Sequence, residues 1–134
     1  MTEEKKKDLR QWLHRAQETL IEARTLKDAG LYIGTANRLY YACFYAVSAL
    51  LETRGLTSSK HSGIIALLNQ HFVKTAIISH EHGKFYGYLF DCRQSGDYDN
   101  YPAFTAEKAD AMFKSASEFV EAISRLTEEY MAKS

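Results

Sequence analysis

The chain has 134 residues, of which 46% are apolar, enough to build one hydrophobic core, so we expect a single domain over residues 1–134. Lys and Arg together number 17, and Asp and Glu together number 17, which gives a formal net charge of zero. This balance argues against a strongly basic domain that binds nucleic acid non-specifically, so any nucleic-acid contact must come from a local cluster or from the groove of an assembled dimer.

The sequence has few features of secreted or membrane proteins. No apolar segment follows the charged N-terminus, so we expect no signal peptide. The longest apolar run, from Leu39 to Leu51, is too short to span a bilayer. Cys43 and Cys92 lie on apolar helical patterns and are predicted to be buried thiols. We therefore predict a cytoplasmic protein without membrane contact.

The first predicted element is a long amphipathic helix from about Glu3 to Ala29. Apolar residues recur in it every three or four positions, with charged residues on the opposite face. Gly30 follows as a C-terminal stop. The apolar stripe consists of Leu9, Trp12, Leu13, Ala16, Leu20 and Ala23.

The second predicted helix runs from Leu31 to Arg54 and stops at Gly55. Its apolar stripe consists of Ala36, Leu39, Tyr40, Cys43, Val47 and Leu50. A second face carries polar and aromatic residues, namely Asn37, Arg38, Tyr41, Tyr45 and Ser48. We interpret this second face as either an interface or the lining of a site.

Three further helices are predicted after Gly55. The segment Thr57–Ser59 offers N-cap hydroxyls to a short third helix. The fourth runs from about Glu81 to Ser95, the segment Gly96–Pro102 has loop composition, and Thr105 caps a long final helix. One face of the short third helix carries His61, Ile64, Ile65, Leu68 and Phe72. With short connections and no β-alternation, this pattern predicts an all-α, up-and-down bundle of four to five helices.

The histidines do not form a metal-binding pattern. His80 and His82, two positions apart on a helix, point in nearly opposite directions and cannot easily chelate one ion. We therefore predict no metal and no cofactor. His14 is expected to be solvent-exposed, and His61 to be half-buried and hydrogen-bonded.

Arg93 lies where the fourth helix meets the loop. A guanidinium at such an edge can bind a phosphate through two parallel hydrogen bonds. It can equally pair with Asp97 or Asp99 and close the helix C-terminus. The local sequence alone leaves both interpretations open.

Three motifs follow one another along nearly the whole chain. The first is the run from Asn37 to Ala46 with the Ala-Leu-Leu and Gly-Leu that follow, the second is Lys60-His61-Ser62 at the start of the next helix, and the third is the spacing of Arg93 from Asp97-Tyr98. In this order they resemble one branch of the HEPN family of nucleic-acid- and nucleotide-linked proteins, and the first is similar to the family's second-helix signature.

The resemblance implies a dimeric helical bundle that is often encoded beside a minimal nucleotidyltransferase. Many family members are metal-independent ribonucleases and act as toxins, with an Arg followed four to six residues later by a His. Here these positions hold Tyr98, Asp99 and Asn100, so a ribonuclease activity stays open. His61 could substitute if the fold brings it near Arg93. In some such toxins the transferase adenylylates a Tyr beside the motif, which makes Tyr98 and Tyr101 modification candidates.

The sequence thus supports two hypotheses. The first is an RNA- or nucleotide-binding partner of a nucleotidyltransferase, a homodimer in a toxin–antitoxin or stress module. The second is a non-catalytic interaction domain that positions or restrains a partner enzyme. The candidate catalytic residues of the first are Arg93, Asp97 and Tyr98, and its candidate binding residues are Asn37, Arg38, Tyr41, His61 and Arg93.

Overall fold

The computed structural model describes residues 1–95 and 105–134, and the regular structure in these ranges is helical throughout. The helices are α1 (Glu3–Asp28), α2 (Tyr32–Glu52), α3 (His61–Leu68), α4 (His80–Ser95) and α5 (Ala106–Lys133). A π-helical turn, Asn69–Val73, continues α3. The prediction of an all-α bundle is confirmed.

Three helix ends follow the predicted local signals, namely the start of α5 and the ends of α1 and α2. The Thr105 side chain accepts a hydrogen bond from the backbone N–H of Lys108 at 3.2 Å, which caps the first turn of α5. Gly30 and Gly55 have φ of +77° and +69°, a left-handed conformation that glycine adopts without a Cβ clash. These glycines end α1 and α2 where the sequence predicted.

The predicted cap of α3 is wrong. The residue that precedes α3 is Lys60, which makes no side-chain cap hydrogen bond. The Ser58 hydroxyl instead accepts from the backbone N–H of Lys60 at 3.2 Å. The segment Thr57–Ser59 ends before the first turn of α3. Its hydrogen bond from Ser58 therefore reaches Lys60, the N-cap residue, and does not cap the N–H groups of the first turn.

α1 runs antiparallel to both α2 and α5. Lys5, near the start of α1, pairs with Glu52 at the end of α2. Lys27, near the end of α1, pairs with Asp110 near the start of α5, with 2.8 Å between Nζ and Oδ1. Exposed ion pairs of this kind contribute at most about 1 kcal/mol each, so they fix orientation more than they stabilise the fold.

The apolar stripe of α2 forms the centre of the molecule. Every predicted member of that stripe is at most 1% exposed. The helix packs against α1, α3, α4 and α5, so burial on several sides explains why it is the most apolar long helix of the chain.

Trp12 belongs to the predicted apolar stripe of α1 but is not part of the core, since it is 36% exposed. The stripe on α1 is wider than the surface that α2 and α5 cover, so Trp12 lies at its margin. There its indole contacts the ring of Tyr45 on α2, with 5.5 Å between centroids.

Both cysteines are buried, as predicted. Burial raises the pKa of the Cys43 thiol far above its usual range, so this thiol is protonated and unreactive. None of the described helices combines the length and the apolar character needed to cross a membrane.

Candidate functional site

The second face of α2 borders a cluster of aromatic and cationic side chains from three helices. Tyr41 is half-buried on this face, one residue after the fully buried Tyr40. We call the following set the arginine–histidine cluster: Tyr40, Tyr41 and Phe44 of α2, His61 of α3 and Arg93 of α4. Because Phe44 follows Tyr40 by one helical turn, both rings face α3.

Arg93 lies in the last turn of α4 and reaches across to α2. Its Nη2 donates a hydrogen bond to the Tyr41 hydroxyl at 2.9 Å. Its guanidinium carbon lies 5.4 Å from the ring centroids of both Tyr40 and Tyr41, within the range of cation–π attraction. The described contacts thus join Arg93 to α2, while Asp97 and Asp99, its alternative partners, lie outside the described residues.

His61 begins α3, half-buried and hydrogen-bonded, as predicted. Its Nδ1 and the Tyr40 hydroxyl are 2.6 Å apart. Its imidazole stacks on Phe44 with 4.5 Å between centroids and 9° between planes. These contacts fix the ring on two sides and direct Nε2 away from Tyr40.

The protonation state of His61 follows from its surroundings. Partial burial lowers the pKa of this imidazole, and the positive charge of Arg93 lowers it further. Both side chains contact the rings of Tyr40 and Tyr41, which places them on the same pair of aromatic residues. The lowered pKa favours the neutral imidazole, and in the tautomer whose Nδ1–H donates to the Tyr40 hydroxyl, Nε2 is the nitrogen that can accept a proton.

The arrangement can bind and transform an anion. A guanidinium carries five N–H donors in a planar fork that matches phosphate geometry, and the Tyr41 hydroxyl engages one of them. A neutral imidazole beside it can take up a proton from a hydroxyl group. Together, Arg93 and His61 suit a phosphate ester with a neighbouring hydroxyl.

Two other predicted binding residues lie next to the cluster. The guanidinium of Arg38 is 5.2 Å from the Tyr41 ring centroid. Its Nη2 donates to the Asn37 side-chain oxygen at 2.9 Å, so Asn37 reaches the cluster only through Arg38. Arg38 also pairs with Glu22 of α1 at 3.6 Å.

The remaining predicted site residues were Asp97 and Tyr98 as catalytic groups and Tyr98 and Tyr101 as modification candidates. All three positions lie outside the described residues. Their roles stay predictions.

Sequence analysis missed two members of the cluster. Tyr40 was placed in the core, where it is, but its hydroxyl also bonds His61. Phe44 was noted only as part of a motif. The four-residue spacing of Tyr40 and Phe44 was the available signal, since it places both rings on one side of the helix.

A metal centre was not found in the described part of the chain. Within residues 1–95 and 105–134, no three His, Cys, Asp or Glu side chains are grouped so that they could hold a metal ion.

Comparisons with known proteins give the chain its relatives. The HEPN domain family matches residues 9–126. A UPF0332 protein of Thermotoga maritima is 42% identical over 126 residues, covering 94% of this chain and 96% of the relative. Two proteins of Methanocaldococcus jannaschii, named as candidate toxins, are 31% identical over 116 residues (87% of this chain, 86% of the relative) and 30% identical over 105 residues (78% and 71%).

Proposed function

This chain belongs to the HEPN domain family, and from that premise we propose that it is a toxin-like protein that binds RNA at the arginine–histidine cluster and cleaves the strand without a metal ion. The names of the two candidate toxins support the toxin-like role. The RNA-binding and cleaving role is supported by the chemistry of the cluster.

The single observation that carries the proposal is the proximity of His61 to Arg93. Both side chains contact the rings of Tyr40 and Tyr41, although they come from different helices. The histidine that usually follows the family's arginine is absent from this sequence, and His61 supplies an imidazole in its place.

The proposed reaction needs only these side chains and the RNA. His61 accepts the proton of a ribose 2′-hydroxyl, and the 2′-oxygen attacks the adjacent phosphorus. The bond between phosphorus and the 5′-oxygen breaks, and that oxygen takes a proton from the imidazolium. Arg93 neutralises the negative charge that develops on the phosphoryl oxygens. The products are a 2′,3′-cyclic phosphate and a 5′-hydroxyl end.

Arg93→Lys tests the phosphate-binding role. Lysine keeps the charge but loses the planar fork, so we expect RNA binding to fall about tenfold or more, in line with the loss of one charge-assisted hydrogen bond. The melting temperature should hardly move. Fluorescence anisotropy with a labelled single-stranded RNA and a thermal melt measure the two effects.

The chain offers a matched control in Arg54. This arginine also donates to a tyrosine hydroxyl, that of Tyr130 at 2.9 Å, and lies 4.4 Å from the Phe72 centroid. Neither Tyr130 nor Phe72 belongs to the arginine–histidine cluster, so Arg54→Lys should leave RNA binding unchanged.

His61→Asn tests the proton-transfer role. Gel electrophoresis of the labelled RNA in EDTA should show that this variant no longer cleaves the strand, while anisotropy shows that it still binds.

The runner-up function is a non-catalytic interaction domain, and the contact of Arg93 with Tyr41 is the observation that favours it. On this alternative, Arg93 simply ties α4 to α2. Early melting of Arg93→Lys, with no RNA bound by the wild-type protein, would establish that structural role.

We further propose that the protein acts with a nucleotidyltransferase in a toxin–antitoxin or stress module. An adenylate group added to Tyr98 or Tyr101 would bring a phosphate anion close to Arg93 in sequence and compete with RNA. Incubation with a transferase encoded beside the gene and with ATP should give a mass gain that Tyr98→Phe or Tyr101→Phe removes. An unchanged mass in the presence of an active transferase would contradict this regulation.

A further inference from the structure

A groove of about 730 Å³ lies between α1 and α2. Two aromatic residues line it, Trp12 and Tyr45, and the other described lining residues are polar or charged. Lysine, glutamate and aspartate are depleted at the core of protein interfaces. The described lining of this groove includes five such residues, Lys5, Asp8, Glu18, Glu22 and Glu52, so its chemistry suits a flat, polar ligand better than a protein surface.

The aromatic residues and an arginine form a stacked group inside the groove. The guanidinium carbon of Arg15 lies 4.4 Å from the Tyr45 ring centroid and 5.9 Å from that of Trp12. The Trp12 indole is 36% exposed, so part of it is open to solvent. An open indole beside an arginine offers one surface for a nucleobase and one cation for a phosphate.

The groove continues into the arginine–histidine cluster. Tyr45 and Tyr41 are one helical turn apart on α2, with 6.0 Å between ring centroids. Arg38 lines the groove and also lies over the Tyr41 ring, whose hydroxyl accepts from Arg93. A strand bound at the cluster can therefore reach the groove without leaving the face of α2.

Charge by itself does not draw a polyanion into the groove. Two of its carboxylates are paired with cations, Glu52 with Lys5 and Glu22 with Arg38. Asp8 also lines it, as does Glu18, whose Oε1 lies 3.3 Å from His14 Nε2, and a carboxylate can accept hydrogen bonds from the amino groups of a base. The groove thus suits one nucleotide of a flexible strand rather than a duplex backbone.

We propose that this groove is a second nucleotide subsite, in which a base of single-stranded RNA stacks on Trp12 and its phosphate contacts Arg15. This inference rests on the proposed function, because the strand is the one held at Arg93. The groove positions the strand through a contact away from the bond that is cleaved.

The test uses the fact that Trp12 is the chain's only tryptophan. Titration of the protein with a single-stranded RNA of about eight nucleotides should quench Trp12 fluorescence as the base stacks. By anisotropy, Trp12→Leu should weaken binding of that RNA about tenfold, as expected for the loss of one stacked base. Ile21→Ala, at a 65% exposed position of α1 outside the groove, is the control and should bind like the wild type.

A second variant covers the case in which Trp12→Leu melts early. Arg15 is exposed, so Arg15→Gln should fold normally. It should weaken RNA binding severalfold and reduce the slope of log affinity against log salt by about the amount that one phosphate contact contributes. Wild-type affinity with unchanged salt dependence in this variant would overturn the subsite.

The outcomes separate the two proposals. If RNA binds at Arg93 while Trp12 fluorescence and the affinity of Trp12→Leu stay unchanged, the subsite is wrong and the proposed function stands. If no RNA binds to the wild-type protein, both are wrong. If Trp12→Leu changes only the molecular mass in light scattering, the groove is a protein interface and the subsite is overturned.

Discussion

At the scale of single residues, His61 shows how neighbours set the chemistry of a side chain. Tyr40 holds one ring nitrogen, Phe44 stacks on the ring, and Arg93 adds a positive charge nearby. The first two contacts orient the imidazole, while burial and the charge keep it neutral. An isolated histidine on a surface would lack this fixed orientation and would be partly protonated near pH 7.

The lowered pKa of His61 predicts a pH dependence of stability. Because the folded pKa lies below the unfolded value of 6.5, the unfolded state binds more protons between these two values. The contribution of His61 to the free energy of unfolding is therefore fully present above about pH 6.5. It is lost as the pH falls from that value through the lowered pKa of the folded state. His61→Asn should show a shallower acid loss than the wild type.

Urea midpoints measured from about pH 8 to about pH 5 test this, because that range spans the titration of histidine. The difference between the wild-type and His61→Asn curves should narrow as the pH falls. Parallel curves would mean that the environment of His61 does not favour its neutral form.

At the scale of elements, α4 is positioned by how closely it approaches the π-helical turn. A Cβ built on Gly83 would lie 2.8 Å from one methyl carbon of Val73 and 3.2 Å from the other. A Cβ built on Gly87, further along the same helix, would meet only Ile65 Cδ1 at 3.7 Å, an ordinary contact. Gly83 therefore permits the close approach of α4 to the π-helical turn, whereas the position of Gly87 has room for a side chain.

This difference predicts opposite effects of the same substitution. Gly83→Ala should destabilise the protein by about 1–3 kcal/mol, because the branched Val73 side chain must shift. Gly87→Ala should be neutral or stabilise by up to about 1 kcal/mol, because alanine is the better helix former. Denaturant midpoints of the two variants provide the measurement. Equal shifts in the same direction would show that the contact with Val73 does not matter.

At the scale of the whole molecule, α2 provides both the core and the site. One face is fully buried among the other helices, while the second face carries half-buried aromatic and polar residues. Exposed aromatic patches commonly mark contacts between protein chains. This division is the basis for the prediction that two copies associate around a cleft, which would hold the RNA proposed to bind at the arginine–histidine cluster.

We predict a homodimer in solution, as the sequence already suggested. Light scattering should give twice the monomer mass of 15.3 kDa at micromolar concentration. Tyr41→Ala, on the second face of α2, should shift the mass toward the monomer if this face forms the contact. A mass of 15.3 kDa for the wild-type protein would contradict the prediction.

Much of the fold was predictable because its signals are local. The helical period, the cap at Thr105 and the stops at Gly30 and Gly55 each depend on residues within a turn or two. The resemblance to the HEPN family also depended on short motifs in a fixed order. The assignment of His61 as a half-buried, hydrogen-bonded residue was confirmed for the same reason, since it followed from its place on one helix face.

Only the tertiary structure decided which of these residues meet. No local rule brings His61 next to Arg93, because they lie on separate helices and meet through the rings of Tyr40 and Tyr41 on a third. Likewise, the period of α1 predicts that Trp12 is apolar-facing, but its exposure depends on how far the neighbouring helices extend across that face. Sequence therefore determined the helices and the family, and packing between helices determined the site. The helical period of a segment says which of its own residues share a face, but not which residues of another helix they will contact.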